Sequence, residues 1–457
     1  MKTIRLNGLQ TKEAQDKERE SKEARERQQE YDRKHAPLEI TRDGSLRELT
    51  DRTAADRTAA SQPAPPSMQR SEGPGLELTE VERPPLKRPD DVLVRVLCVG
   101  LDGTDRELMT EKYGVPPEGE TGLTIGHESL GIVEEAGEDS GLMQGDLVCA
   151  LVRRPCKEPG CVNCRNGHAD FCETGAYVER GIKGMHGYLS EYYVEQAKYL
   201  VKVPFTCLDY GVLTEPQSIV EKVWEEVQRI QQRLIWQPKT ALVLGSGPLG
   251  LLAALTSRCL GLDTVVWSKS PADSLAAELV RACGAEYRQA GAAGAESAAP
   301  QEADGADTLS GFLEQSGRRA DLIFECTGYS PLAFEAMTAL GPGGVLALLG
   351  VTPGSRSLKI ESDMINQEIV LENKCILGSV NASRKNFETG LYRLEQMEDL
   401  FPGVLERLMT NRLTLEQVPT LDFGRIEIKA VVDIVPRPQW EGLLQPDIEQ
   451  VEYSFSV

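Results

Sequence analysis

The feature that most constrains the fold is a glycine-rich turn in the second half of the chain. The stretch Gly245-Ser246-Gly247-Pro248-Leu249-Gly250 has the spacing G-x-G-x-x-G and directly follows an apolar run that begins at Thr240. The first glycine permits the turn, the second lets a pyrophosphate approach the backbone, and the third lets the helix pack on the strand. The positive end of the following helix then faces the phosphates. The stretch therefore predicts dinucleotide binding, and a purely structural loop is the alternative.

Strand-like and helix-like segments alternate around this turn. They are 240–245, 249–260, 264–267, 274–283, 321–326, 331–340 and 344–349. This alternation predicts a parallel, doubly wound α/β sheet. A segment rich in alanine and acidic residues, 290–307, interrupts it and predicts a flexible surface loop.

The end of the second predicted strand indicates which dinucleotide is bound. An NAD site usually carries an acidic residue about twenty residues after the glycine motif, where it holds the ribose hydroxyls. This chain has Ser268, Lys269 and Ser270 there. A cation and two hydroxyls suit a 2′-phosphate, so the sequence favours NADP, with NAD possible. The alternative is that Lys269 is a solvated surface lysine.

Four clustered cysteines predict a structural zinc site. Cys156, Cys161, Cys164 and Cys172 have the spacing C-x4-C-x2-C-x7-C. Four thiolates on one loop suit a closed tetrahedral site, which stabilises a loop too polar to fold by apolar burial. His168 lies inside the loop as a possible substitute ligand. A disulfide pair is the alternative, disfavoured because a reducing compartment is expected.

A second group of residues predicts a zinc site with an open position. Asp102 and Thr104 lie in a short turn after a strand-like run, shortly before His127 and Glu128. Glu215 lies where the first domain gives way to the cofactor domain, so it can reach a cleft between them. Zinc held by Asp102, His127 and Glu215 would be a Lewis acid beside a nicotinamide, with Thr104 as a proton-passing hydroxyl. The alternatives are an ordinary turn and a core histidine.

Charge and hydropathy exclude several classes of partner. The chain has 50 Lys and Arg against 71 Asp and Glu, a formal net charge of −21. Such a field repels nucleic acid and anionic membrane surfaces. No apolar run reaches the roughly 18 residues of a membrane span. The first residues lack the apolar core of a signal peptide, so we expect a cytoplasmic protein.

Composition divides the chain into five parts. Residues 1–7 predict the first strand of the catalytic domain, and 8–74 predict a disordered low-complexity insertion, because they combine dense mixed charge, a tandem repeat at 51–60 and a proline-rich stretch. Residues 75–216 predict a β-rich catalytic domain with the cysteine loop. Residues 217–381 predict the cofactor domain. Residues 382–457 are expected to return to the catalytic domain, through a helix at 386–398 and a strand at 426–433.

Taken in order, these motifs resemble those of the zinc-dependent medium-chain dehydrogenases. Several short sequence stretches resemble the glucose 1-dehydrogenase branch of that family. These stretches run from Arg153 to Cys156, Asn163 to Gly167, Asp170 to Gly175, Tyr177 to Gly184, Glu215 to Lys222 and Gly378 to Ser383. The resemblance implies a GroES-like β-rich catalytic domain and a Rossmann cofactor domain. It also implies oxidation of D-glucose, or a similar aldose, at C1 to the lactone with reduction of NADP or NAD.

The resemblance assigns further roles. Asp102, His127 and Glu215 would hold the catalytic zinc, with Glu128 as an exchanging or neighbouring ligand. The residues implied to hold sugar hydroxyls are Thr104, Glu128, Glu179, Glu215 and Asn381. Residues 246–249 would bind the pyrophosphate, Ser268, Lys269 and Ser270 the 2′-phosphate end, and Lys429 the cofactor phosphate. The residues implied to line the nicotinamide are Val351, Thr352, Pro353, Ser379, Val380 and Asn381.

The chain departs from the family pattern at three places. Asp102 replaces the usual cysteine ligand, the first two loop cysteines are two residues further apart, and Ile219 stands where some relatives place a sugar-binding aspartate. Two other functions stay open: a polyol, threonine or alcohol dehydrogenase, and a catalytically silent protein whose insertion binds a partner. An exposed sheet edge in the cofactor domain would favour a homodimer or homotetramer.

Overall fold

Two sheet systems on either side of a cleft form the frame of the molecule. The structure, a computed structural model, describes residues 1–7, 9, 38–40, 46–48, 75–111, 114–291, 309–351 and 356–444. Within this part of the chain, no helix is long and apolar enough to cross a membrane.

The first half of the chain is β-rich, as predicted. Its strands are β1 (Lys2–Asn7), β2 (Leu38–Ile40), β3 (Leu46–Glu48), β4 (Leu76–Glu80), β5 (Asp91–Leu101), β6 (Gly122–Thr124), β7 (Glu128–Ala136), β8 (Leu147–Ala150), β9 (Arg153–Arg154), β10 (Val178–Arg180), β11 (Gly184–Met185), β12 (Tyr192–Gln196) and β13 (Leu200–Lys202). Its helices are α1 (Gly103–Glu111), α2 (Val162–Arg165) and α3 (Thr214–Gln231). The four-cysteine loop lies between β9 and β10.

The predicted insertion begins and ends inside one small sheet. Strand β1 pairs antiparallel with β4 and with β6. Strands β2 and β3 pair with each other, which the sequence pattern did not predict. Leu9 is buried in the catalytic-domain core. The remaining residues of 8–74, and with them most of the predicted disorder, lie outside the described part of the chain.

The cofactor domain is the predicted doubly wound sheet. Its parallel strands are β14 (Thr240–Leu244), β15 (Asp263–Ser268), β16 (Glu286–Gln289), β17 (Ala320–Glu325), β18 (Leu340–Leu348) and β19 (Cys375–Gly378), in the order β16-β15-β14-β17-β18-β19. Its helices are α4 (Pro248–Cys259), α5 (Leu275–Ala282), α6 (Leu309–Ser316), α7 (Ser330–Ala339) and α8 (Ser362–Leu371). Strand β14 is buried along its whole length, and β17 is buried at every position except Asp321, because helices cover both faces. Most of the predicted loop at 290–307 lies outside the described residues.

The C-terminal segment contributes a strand to the sheet of β5. It contains α9 (Arg384–Leu400), α10 (Val404–Leu408), β20 (Asn411–Thr414), β21 (Ala430–Asp433) and α11 (Trp440–Leu444). Strand β21 pairs antiparallel with β5 and brings Ala430 opposite Leu101. This strand is shorter than the predicted 426–433. The pairing sets the residue before Ala430, Lys429, beside the end of β5 where the cleft begins.

Helix α3 joins the two domains. It begins at Thr214, so the boundary predicted between residues 216 and 217 falls inside its first turn. Val220, Val223 and Val227 are buried in a core that contains side chains of both sheet systems. Because one continuous helix carries both Glu215 and these three buried valines, the helix fixes the position of Glu215 relative to the cofactor domain.

Candidate active site

Asp102 caps the helix that follows β5. Its Oδ1 accepts hydrogen bonds from the backbone N of Thr104 at 2.8 Å and of Asp105 at 3.2 Å. Its Oδ2 accepts from the Thr104 hydroxyl at 3.2 Å. These are the contacts of a helix N-cap, so the turn that the sequence suggested is the first turn of α1. The cap holds the Asp102 carboxylate and the Thr104 hydroxyl side by side.

Asp105 is a site residue that the sequence reasoning missed. Its carboxylate is fully buried and accepts from the backbone N of Asp102 and of Gly126, each at 3.2 Å. Its Oδ2 lies 3.8 Å from Nδ1 of His127. Burial, with help from the Asp102 and Glu128 carboxylates, raises the pKa of Asp105 to about 7. The signal was present, because an acidic residue three positions after an N-cap matches a capping box.

His127 stands at the centre of a buried cluster of carboxylates. Its Nε2 lies 3.6 Å from Asp102 Oδ2. His127, Glu128 and Glu215 each offer a ligand atom within 4.8 Å of the others, and so do Asp102, Asp105 and His127. Burial alone would lower the pKa of His127, but these carboxylates, Asp102 foremost, raise it well above its usual value.

The crowding of acidic side chains around His127 also changes the pKa of Glu215. Burial raises its pKa to about 8, and the nearby Glu128 and Asp102 carboxylates add to the effect. Several buried acids around one imidazole are costly unless a cation neutralises them. Oxygen and nitrogen donors also suit zinc. The predicted ligands fall into two groups that share His127: Asp102 converges with Asp105, and Glu215 converges with Glu128. Both groups offer donors that fit a divalent zinc ion.

Lys429 has a buried carboxylate partner. Its ammonium lies 2.5 Å from Glu128 Oε2, with both side chains buried. The carboxylates of Glu128 and Asp102 raise the pKa of Lys429 against the opposing effect of burial. A Cβ at Gly100 would lie 1.9 Å from Glu128 Oε2, so this glycine makes room for the pair. The cation thus offsets the charge of the carboxylate cluster, and its contact with a cofactor phosphate stays a prediction.

The four loop cysteines converge as predicted. Their sulfur atoms all lie within 4.8 Å of one another, despite the longer spacing between Cys156 and Cys161. All four are free thiols, so the disulfide alternative does not hold in this structure. His168 is not a member of the group. The hydroxyl and backbone N of Thr174, together with the Cys164 and Cys156 thiols, favour the thiolate and, against the effect of burial, lower the pKa of Cys172 to about 6. The four residues fit a closed zinc site.

The glycine-rich turn is built as its spacing requires. Gly245 has φ +103°, and a Cβ there would lie 2.9 Å from the Thr327 methyl. A Cβ at Gly250 would lie 2.2 Å from Gly245 O, so the helix can approach the strand only with glycine at this position. The predicted residues Gly247, Pro248 and Leu249 line the cleft between the domains together with Gly250.

The predicted 2′-phosphate residues lie beside this turn. Ser246 Oγ is 2.8 Å from Ser268 Oγ and 3.2 Å from Ser270 Oγ. The Lys269 ammonium lies 4.6 Å from the centre of the Tyr329 ring. Arg356, which sequence reasoning missed, lies 5.1 Å from the same ring. Two cations and two hydroxyls thus gather where a 2′-phosphate was expected.

A second polar group, formed by Glu179, Asn381 and Arg153, lines the same cleft. Asn381 Nδ2 donates to Glu179 Oε1 at 3.1 Å, and Arg153 Nε donates to the same oxygen at 2.9 Å. Asn381 has the left-handed φ of +61°, which a non-glycine residue adopts rarely.

The cleft brings most of the predicted site residues together. Its volume is about 990 Å³. The predicted residues that line it are Asp102, Thr104, His127, Glu128, Glu179, Glu215, Gly247, Pro248, Leu249, Gly250, Val351, Ser379, Val380, Asn381 and Lys429. Gly245, Ser246, Ser268, Lys269 and Ser270 lie at the adjoining strand ends. Thr352 and Pro353 lie outside the described residues.

A GroES-like half, a Rossmann half and a histidine–carboxylate cluster in the cleft define a zinc-dependent medium-chain dehydrogenase. Two family models match the chain: "Alcohol dehydrogenase GroES-like domain" over residues 88–205 and "Glucose dehydrogenase C-terminus" over residues 208–434. A relative from Methanocella arvoryzae, named glucose 1-dehydrogenase, is 42% identical over 364 residues, which cover 79% of this chain and 96% of the relative. The chain therefore belongs to the glucose 1-dehydrogenase family.

Other comparisons agree with this assignment. Glucose 1-dehydrogenase 2 of Vulcanisaeta moutnovskia is 39% identical over 365 residues, covering 79% of this chain and 96% of the relative. The solved structure of the Haloferax mediterranei glucose dehydrogenase in complex with NADP, Zn and gluconolactone is 31% identical, with a TM-score of 0.70 and coverage of 79% of this chain and 96% of that one. Both predictions, of the family and of the two-domain fold, are confirmed.

Proposed function

We propose that the protein oxidises D-glucose, or a closely related aldose, at C1 to the lactone and reduces NADP. The main observation in support is that residues of the carboxylate–histidine cluster, the Glu179–Asn381 pair and the glycine-rich dinucleotide turn all line one cleft. The names of the relatives, and the NADP, Zn and gluconolactone bound by the Haloferax enzyme, support the same activity.

The chain has residues for each part of this reaction. Asp102, His127 and Glu215 would hold the catalytic zinc, which supplies a Lewis acid to the sugar hydroxyl when it is bound. The Thr104 hydroxyl lies in the cleft against Asp102, where it can accept a proton from the substrate and pass it towards solvent. The four cysteines would hold a structural zinc.

Sugar recognition requires several hydrogen-bonding groups at fixed positions. Each carboxylate can accept from two hydroxyl donors, and an amide can both donate and accept. Glu179 and Asn381 provide such groups in the cleft that His127 also lines. Ile219 also lines the cleft, and its apolar side chain offers no acceptor to a hydroxyl. We therefore expect the enzyme to accept more than one aldose.

An aldose and polyol panel tests this proposal. With NADP, we expect D-glucose and at least one of its epimers to be oxidised and open-chain polyols to react much more slowly. The measurement is NADPH formation at 340 nm together with identification of the lactone or its acid. Turnover of a polyol, threonine or a simple alcohol without any aldose oxidation would replace this function by the alternative one. If the zinc-loaded protein turned over none of these substrates, the alternative of a catalytically silent protein would be favoured.

Cofactor preference is tested by Lys269→Ala. A charged hydrogen bond is worth about 1.5–3 kcal/mol, so we expect KM for NADP to rise by about tenfold to a hundredfold while KM for NAD changes little. Lys239→Ala is the matched control, since Lys239 is an exposed lysine just before β14. Equal losses with both dinucleotides would show that Lys269 does not bind the 2′-phosphate.

A homodimer or homotetramer and a cytoplasmic location stay predictions. Strand β19 ends the cofactor sheet in the described part of the chain, and Val370 and Leu371 just before it are largely exposed. An open strand edge beside exposed apolar residues at the end of α8 is suited to pairing with a second copy.

A further inference from the structure

We propose that Arg153, Asp170 and Lys222 are positioning residues that connect the four-cysteine loop to Glu179 and Asn381, the side chains that meet the sugar. The inference rests on the proposed function and deepens it. Together with Glu179, Val380 and Asn381, these residues form a closed circuit of polar contacts, called here the polar ring.

The first side of the polar ring runs through Arg153. Asp170 lies in the short turn just before Cys172, and its backbone oxygen accepts from Arg153 Nη1 at 3.1 Å. The same guanidinium donates to Glu179 Oε1 at 2.9 Å and lies 3.8 Å from the centre of the Tyr177 ring. A planar guanidinium held on three sides has little freedom, so it fixes the orientation of the Glu179 carboxylate.

The second side runs through Lys222. Its ammonium lies 3.0 Å from Asp170 Oδ2, and both side chains are only 4% exposed. The same ammonium donates to Val380 O at 2.9 Å, directly before Asn381 in the chain. Lys222 is also two helical turns after Glu215 on α3. The loop that carries Asn381 is thereby tied to both the cysteine loop and the helix of the metal cluster.

The polar ring closes in the cleft. Asn381 Nδ2 donates to Glu179 Oε1, the oxygen that also meets Arg153. Because these contacts end on Oε1, Glu179 Oε2 can accept a sugar hydroxyl. Asn381 is held at its unfavourable backbone angle by neighbours on both sides, Lys222 through Val380 and Glu179 through the side chain.

A role in positioning accounts for the buried ion pair better than stability does. A buried lysine–aspartate pair contributes little net stability, because desolvation offsets the attraction. It does restrict geometry, and a displacement of about 1 Å at a substrate-binding group can cost on the order of a hundredfold in rate. The polar ring sets the distance between two sugar-binding groups that come from different domains.

A double-mutant cycle on the full-length enzyme loaded with zinc tests this inference. We expect Lys222→Met to raise KM for glucose between about tenfold and a hundredfold, with kcat and the zinc content changed less than about twofold. In an Asn381→Gly background, where glycine accepts the positive φ, the same substitution should add less than about twofold, because the sugar-binding group that Lys222 holds through Val380 is already missing. Lys222→Arg, which can still bridge Asp170 and Val380, should restore most of the affinity.

Arg229→Met is the matched control. Arg229 lies on the same helix and pairs with Glu225, but it is exposed and outside the polar ring, so its loss should leave KM unchanged. Lys222→Met leaves the Asp170 carboxylate buried without its cation. If that variant does not fold, the cycle is repeated with Asp170→Asn/Lys222→Met, which removes both charges and should still raise KM. Additive effects with Asn381→Gly, or an unchanged KM in a folded variant, would overturn the inference.

Amide hydrogen exchange separates this inference from the proposed function. In Lys222→Met we expect faster exchange at residues 379–382 and 178–180, and no change in Arg229→Met. This readout needs no substrate. If the wild-type enzyme oxidised no aldose, the proposed function would fail while the exchange result still decided whether the polar ring holds the loop. Unchanged exchange in an enzyme that oxidises glucose would reject the polar ring alone.

Discussion

Asp102→Ala is expected to lose the catalytic zinc and to lower kcat/KM for glucose by on the order of a thousandfold or more, while the four-cysteine zinc stays bound. Asp102 supplies the carboxylate 3.6 Å from His127 Nε2, and a bound metal contributes several kcal/mol of charge stabilisation to such a reaction. The loss of the helix cap costs only about 1 kcal/mol, so the variant should fold. Zinc per chain, measured by mass spectrometry, should fall from two to one.

Two other substitutions at Asp102 serve as controls. Asp102→Asn keeps an oxygen for the backbone N of Thr104 but removes the negative charge, so it separates the cap from the ligand. Asp102→Cys provides a thiolate, which zinc also accepts, and should keep two zinc ions per chain. Normal turnover of glucose by Asp102→Ala with two bound zinc ions would mean that Asp102 is only a cap.

Lys429→Met is expected to destabilise the protein by about 3–5 kcal/mol. The substitution leaves the Glu128 carboxylate buried without the cation that lies 2.5 Å away, and breaking such a pair from one side costs far more than removing both charges. Calorimetric unfolding of the zinc-loaded protein should show a clearly lower Tm.

The double variant Glu128→Gln/Lys429→Met is the control for stability. It removes both charges and should recover most of the lost Tm, although Glu128 belongs to the active-site cluster and activity is not the readout. A Lys429→Met protein with the Tm of the wild type would contradict the assignment of Lys429 as the partner of Glu128. A loss of Tm that the double variant does not recover would do the same, since packing would then explain the loss.

The cofactor domain could be predicted because its signals are local. Strands such as β14 are buried on both faces, so they appear in the sequence as continuous apolar runs. The glycine turn has fixed spacing, and Ser274 caps α5 by accepting from the backbone N of Ala277. Each of these signals lies within a few residues of the element that it specifies.

The sequence proposed ligands for the active site, but it did not indicate the residues that surround and support them. Asp102, His127 and Glu215 could be named from residue types, because few histidines were available. Lys429 lies in a run of alternating isoleucine and charged residues, where a lysine is usually solvated; its burial depends on the pairing of β21 with β5, which are more than 300 residues apart in the chain. Such long-range contacts leave no local pattern.

The same reason explains why the polar ring was missed. Arg153 reaches Glu179, Asp170 reaches Lys222, and Asn381 returns to Glu179 across 202 residues. Taken alone in the sequence, each of the four charged side chains looks like an ordinary surface residue. Only the packing of the cysteine loop against α3 reveals that they are buried together.

The entry and exit of the insertion have a consequence for evolution and engineering. The backbone N of Asn7 donates to Gly75 O at 3.3 Å, and Leu6 lies opposite Leu76, so the chain leaves and rejoins one sheet at a single point. The entropy of closing a loop grows slowly with its length, by about 0.6 kcal/mol for each doubling. The segment after Leu9, whose side chain is part of the core, and before β4 can therefore be lengthened, shortened or exchanged for a foreign domain without shifting the register of the sheet. The position is a natural graft point, where variation in length is separated from the catalytic cleft.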